Sequence, residues 1–120
     1  MWCETYKVNV YMGLQEGYDG SVRTVKDAIR AVRKYTDEVG LGVTVTPTYF
    51  VYTGGDEPGV IIGLVNYPRF PSDKVEIRKH GFELAKRLLV EFKQHRCTVE
   101  LPDRSVLLEN PEIDGNVQTS

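Results

Sequence analysis

Thr53-Gly54-Gly55-Asp56-Glu57-Pro58-Gly59-Val60-Ile61-Ile62-Gly63-Leu64-Val65-Asn66 decides the fold. It reads as a loop running into a strand that is apolar on both faces, and such a strand belongs in the interior of a sheet. The paired glycines allow a tight hairpin or a phosphate cradle, and the hairpin is the better reading. Gly63 inside the strand marks the close approach of a backbone, a side chain or a ligand. Upstream, residues 43–52 are β-branched and aromatic, which makes a second strand. Pro47 removes one amide donor there and sends that strand to an edge or a bulge.

Working outward, Tyr6, Val8, Val10 and Met12 alternate with Lys7, Asn9 and Tyr11, giving a half-buried first strand that ends at Gly13. Val22, Val25, Ile29, Val32 and Val39 form a helical stripe, with Ser21 as the expected N-cap and Gly40 as the stop. Asp73 and Glu76 open a second helix over about residues 74–94. Its apolar arc runs through Ile77, Gly81, Leu84, Ala85, Leu88, Leu89 and Phe92, widened by Val75 and Phe82. An arc so broad asks for more than one neighbour, and a second subunit is one candidate. Cys97 to Leu101 and Arg104 to Leu108 make a hairpin across Pro102-Asp103.

The order strand, helix, strand, strand, helix, hairpin predicts an α+β domain. Two helices lie on one mainly antiparallel sheet, in a ferredoxin-like or split βαβ plan with a C-terminal hairpin. Residues 1–110 are read as a single domain and 111–120 as a flexible tail. That plan hosts many functions and selects none.

Composition narrows the classes. Fifteen basic and 17 acidic residues give a net charge of −2, which argues against a long nucleic acid as partner. No apolar run suits a membrane span or a leader, and Cys3 and Cys97 read as reduced thiols, so a cytoplasmic protein is expected. There is no nucleotide-loop or nucleophile-elbow motif. His80 and His95, placed on one predicted helix 15 residues apart, cannot share a metal. Asp56-Glu57 is the only adjacent acidic pair in a loop, and an exposed turn accounts for it better than acid–base chemistry does. Catalytic residues, metals and cofactors are therefore expected to be absent.

Binding chemistry concentrates in Asn66-Tyr67-Pro68-Arg69-Phe70-Pro71. Two aromatic rings, an amide and a guanidinium are held there by two prolines, just before a helix N-terminus. The bland alternative is a structural connector. Asn66, Tyr67, Arg69 and Phe70 are the leading ligand-binding candidates, followed by Phe82, Arg104 and Arg23. For each of the last three, a core or solvated role is the alternative.

The stretch Thr46-Pro47-Thr48-Tyr49-Phe50 through Gly54-Gly55 to Pro71, with Tyr11-Met12-Gly13-Leu14 and the two-helix layout, resembles the first described type of phage anti-Thoeris sponge. The resemblance implies a protein that binds the cyclic ADP-ribose isomer made by a bacterial TIR enzyme. It would hold that signal uncleaved in the host cytoplasm, so blocking an anti-phage defence. It further implies a dimer or higher homo-oligomer with pockets near subunit contacts. Two other readings stand beside it: an oligomeric regulatory module sensing a small nucleotide or anion, and a small nucleotide-processing enzyme.

Overall fold

The computed structural model describes residues 1–17 and 20–113. The elements are β1 (Lys7–Gly13), α1 (Val25–Val39), β2 (Thr44–Tyr52), β3 (Gly55–Val65), α2 (Lys74–Glu91), β4 (Arg96–Glu100) and β5 (Ser105–Glu109). The strands form one sheet in the order β2-β3-β1-β4-β5, and every neighbouring pair is antiparallel. This is the expected split βαβ plan extended by a C-terminal hairpin. The expected tail from 111 lies outside the described residues except at 111–113, which make a helical turn. Among the described residues no helix is long and apolar enough to cross a membrane.

Strand alternation sends one set of side chains to the helices and the other to an open face. Val8, Val10 and Met12 of β1 pair with Leu64, Ile62 and Val60 of β3. All six are buried, together with Leu84, Ala85, Leu88 and Leu89 of α2. Opposite them, Asn9, Tyr11 and Gly13 pair with Gly63, Ile61 and Gly59. β2 lies at the sheet edge, where the missing amide of Pro47 costs no ladder bond.

Local signals fix most boundaries. Gly40 ends α1 in the left-handed region (φ 69°), and Asp73 caps α2 by accepting from the Glu76 amide at 2.8 Å. Two expectations are corrected. The N-cap of α1 is Thr24, not Ser21. The Thr24 hydroxyl accepts from the Asp27 amide while Asp27 accepts from the Thr24 amide, a reciprocal box that holds the helix start three residues later. Residues 21–23 are kept extended by the Gln15–Val22 bridge and the bond from the Arg23 amide to the Leu14 carbonyl. The buried stripe of α1 is accordingly Ala28, Val32 and Tyr35, while Ile29 and Val39 lie at its margin.

The Gly54-Gly55 segment is the tight hairpin. β3 begins at Gly55, with Tyr52 paired to Gly55 and Gly54 at φ 88°. Residues 55–59, expected in a loop, are therefore strand. α2 stops at Glu91 instead of reaching 94. Lys93 takes φ 52°, its amide bonds to the Val90 carbonyl at 3.2 Å, and the Gln94 amide bonds to the Leu89 carbonyl at 3.0 Å. These are the two bonds of a Schellman stop.

α2 rides directly on β1. A Cβ at Gly81 would come within 2.7 Å of Val8 Cγ1. Gly81→Ala should therefore destabilise the protein by about 1–3 kcal/mol through overpacking, despite alanine's better helix propensity. Urea unfolding followed by circular dichroism measures this, and a stabilised variant would show the contact to be slack.

Candidate active site

The Schellman stop of α2 turns the chain back over the end of the sheet. Gln94 is buried there, and its side-chain nitrogen donates to the Gln15 carbonyl at 2.8 Å and the Phe92 carbonyl at 3.1 Å. Its Oε1 then lies 2.5 Å from where a Cβ of Gly13 would sit, and Glu57 Oε1 lies 3.9 Å from the same point. Gly13 therefore leaves room for two acceptor oxygens to converge. They border a cleft of about 490 Å³ whose wall also includes Tyr52, Lys93, His95 and Arg96.

Glu57 is half-buried and its side chain has no hydrogen bond or ion pair among the described residues. A carboxylate without a partner at the wall of a cleft is open to a cation that enters it. The basic groups on the wall are held loosely. Lys93 stands 4.0 Å from Glu16 and Arg96 stands 3.5 Å from Glu109, in largely exposed pairs that contribute little and exchange readily. Lys93 also carries the one positive φ among described non-glycine residues, a local strain placed at the cleft wall.

A second polar group sits on the same open face. The Tyr11 hydroxyl and the Asn9 amide both donate to Glu100 Oε1, at 2.8 and 3.0 Å. The two donors hold the Glu100 carboxyl below its usual range, and the hydrogen bond to Glu100 raises the Tyr11 phenol above its own. Elsewhere, burial pushes the Cys97 thiol up to about 12, so it is no nucleophile near neutral pH.

The seven residues singled out from the sequence fall in several places. Asn66 is buried: its amide nitrogen donates to the Glu4 carbonyl at 2.7 Å and its Oδ1 accepts from the Ser72 amide at 2.8 Å. Tyr67 and Phe70 close a tight turn through a 3.0 Å backbone bond. Arg69 stands 5.5 Å over the Phe70 ring, which is 72% exposed. Phe82 packs half-buried on the core, with Arg78 over its ring. Arg23 caps the other end of α2, donating to the Phe92 and Glu91 carbonyls at 3.0 and 2.9 Å. Arg104 lies in the β4–β5 turn beside Asp103. The structure thus groups Asn66, Tyr67, Arg69 and Phe70 on one turn and does not bring Arg23 to them. Glu57, Gln94 and Tyr52 were missed. The available signal was the period-two continuation Glu57, Gly59, Ile61, Gly63 along one face of β3.

No protein-family model and no curated protein matches this sequence. Among solved structures, the chain is similar to a phage SAM lyase in complex with S-methyl-5'-thioadenosine. Identity is 18%, the match covers 89% of this chain and 91% of that one, and the TM-score is 0.76. The apo state of a phage SAM lyase matches at 19% identity over 87% and 88% of the two chains, with a TM-score of 0.75. At that identity the likeness establishes the shared fold.

It also corrects two expectations. The neighbours are an enzyme, which overturns both the non-enzymatic reading and the reading of a sponge that sequesters a cyclic ADP-ribose-type signal without cleaving it. The resemblance to anti-Thoeris sponges finds no counterpart in these neighbours. The sponge reading rested on the resemblance and the non-enzymatic reading on the lack of recognised catalytic motifs, and a lyase can break a bond inside its substrate without such a motif.

Because Glu100 is depressed on folding, its stabilisation is complete above the ordinary carboxylate value near 4.5 and is lost as pH falls through the lowered one. The stability difference between wild type and Tyr11→Phe should be full at neutral pH and shrink towards pH 3. Paired urea titrations measure it, and a pH-independent difference would contradict the coupling.

Proposed function

We propose that this chain is an enzyme that takes S-adenosylmethionine into the cleft at Tyr52, Glu57 and Gln94 and releases S-methyl-5'-thioadenosine. The observation that carries the reading is the unpartnered, half-buried carboxylate of Glu57 in a cleft of about 490 Å³, on a fold matched nearly end to end by a phage SAM lyase. The cleft volume lies within the usual range of about 300–1,000 Å³ for small-molecule sites.

The substrate carries a sulfonium, an α-ammonium, a carboxylate and an adenine. The bond that breaks joins sulfur to the γ-carbon of the four-carbon chain, and its electron pair goes to sulfur, which leaves as a neutral thioether. A lyase adds no water, so the carbon fragment completes itself. Its own carboxylate oxygen closes on the γ-carbon to give a five-membered lactone, and no proton is lost.

What remains for the protein is to fold the chain back so that oxygen and carbon meet, which is catalysis by orientation. Glu57 would grip the α-ammonium, whose charge persists throughout, so this contact positions the chain without opposing the loss of the sulfonium charge. The Tyr52 ring, 49% exposed, offers a face for adenine. Lys93 and Arg96 sit where their loose pairs can yield to the substrate's carboxylate during entry. The phage source of both neighbours supports a phage-encoded enzyme drawing on the host's cytoplasmic pool.

Purified protein incubated with S-adenosylmethionine should yield S-methyl-5'-thioadenosine on chromatography, together with a lactone of matching amount by mass spectrometry. Glu57→Gln should lower kcat/KM by about 10- to 100-fold, the loss of one charge-assisted hydrogen bond. Product no faster than in a buffer blank would reject the reading.

A further inference from the structure

A second cleft, of about 510 Å³, lies at the opposite end of α2, between the N-terminal segment, the helix and the β4–β5 turn. α2 has 18 residues, so at about 1.5 Å per residue roughly 27 Å of helix separates the two ends. Three cations from two elements face this cleft, Lys74 and Arg78 from the helix and Arg104 from the turn, with Asp103 on the lining and Glu4 beside Lys74.

None of the three is firmly engaged. Lys74 meets Glu4 at 3.1 Å in a pair whose side chains are 63% and 68% exposed. Arg104 stands 3.8 Å from its neighbour Asp103. Arg78 has only the Phe82 ring, 6.0 Å away, among the described residues. Exposed pairs of this kind contribute little.

The placement breaks a local rule. Lys74 and Arg78 are four apart on one helix face, where like charges repel, and Lys74 sits in the first turn, where the macrodipole disfavours cations. The amide end itself is already capped by Asp73, so the basic side chains, not the helix terminus, make the site. A misplacement offset only by one exposed pair, Lys74 with Glu4, points to function.

We infer that this cleft is a separate anion site that takes a small phosphomonoester. Three cations against Asp103 and Glu4 leave an excess of one positive charge, and a phosphomonoester, carrying roughly −1.5 to −2 at pH 7, would displace Glu4 from Lys74 on entry. Arg78 and Arg104 supply bidentate donors for it. Val75, 72% exposed at the cleft, and Tyr6 give an apolar wall for the ester's organic body. The chain's net charge of −2 disfavours an extended nucleic acid as the source of the phosphate.

The test titrates AMP, inorganic phosphate and adenosine into the isotopically labelled protein, following amide resonances. AMP and phosphate should move Lys74, Val75, Arg78 and Arg104, and adenosine should leave them still. Arg78→Gln with Arg104→Gln should weaken AMP at least ~10-fold, while S-adenosylmethionine cleavage stays at the wild-type rate. The proposal is overturned if AMP and phosphate move nothing at this end, if adenosine acts as strongly as AMP, or if the double variant binds AMP unchanged. None of these results bears on the Glu57 cleft, which the cleavage rate reports separately.

Discussion

The structure depends on the seating of Val8 against Gly81. β1 is the middle strand, and α2 can lie flat on it only because position 81 has no side chain. Close contact there sets the depth at which Leu84, Ala85, Leu88 and Leu89 meet the apolar face of β1 and β3. With both helices on that face, the other face has no layer over it. Polar side chains gather on the open face and at the two ends of the helix, where loops converge. The candidate active site and the basic cleft occupy those two ends, so one packing contact positions both.

The fold was legible because each element carried its own local signal. Period-two alternation gave β1, the apolar run gave β3, and Pro47 gave the edge. Gly40 and Asp73 are caps whose side chain or conformation acts within a single turn. Errors arose where a longer-range bond set the boundary. Ser21 is an acceptable cap in isolation, but the bond from the Arg23 amide to Leu14 holds that segment against the end of β1. The stop of α2 uses Lys93 in a conformation that glycine usually supplies, and no sequence rule places a lysine there.

The candidate site was much less legible. Tyr52, Glu57, Gln94 and Arg96 come from β2, β3, the α2–β4 loop and β4, and sheet register and the stop of α2 bring them together. Glu57 looked like a turn residue because Gly55, Pro58 and Gly59 hide the strand pattern around it. The connector at 66–71 offered richer chemistry in six consecutive residues, yet Asn66 spends its amide on the Glu4 carbonyl and the Ser72 amide. Local density of functional side chains and convergence in space are separate properties. The missing catalytic motif is a weak guide for a related reason: in the proposed reaction the substrate carries its own leaving group and its own attacking carboxylate, and would need from the protein chiefly shape and one well-placed charge.

The most direct measurement of the central claim is a structure determined with S-methyl-5'-thioadenosine bound. The account predicts the adenine against Tyr52 and the thioether end towards Gly13, with Glu57 and Gln94 bordering the space that the departed four-carbon fragment would fill. Density for the ligand at the turn of Tyr67 to Phe70, or in the basic cleft at Arg78, with the Glu57 cleft left unoccupied, would contradict it.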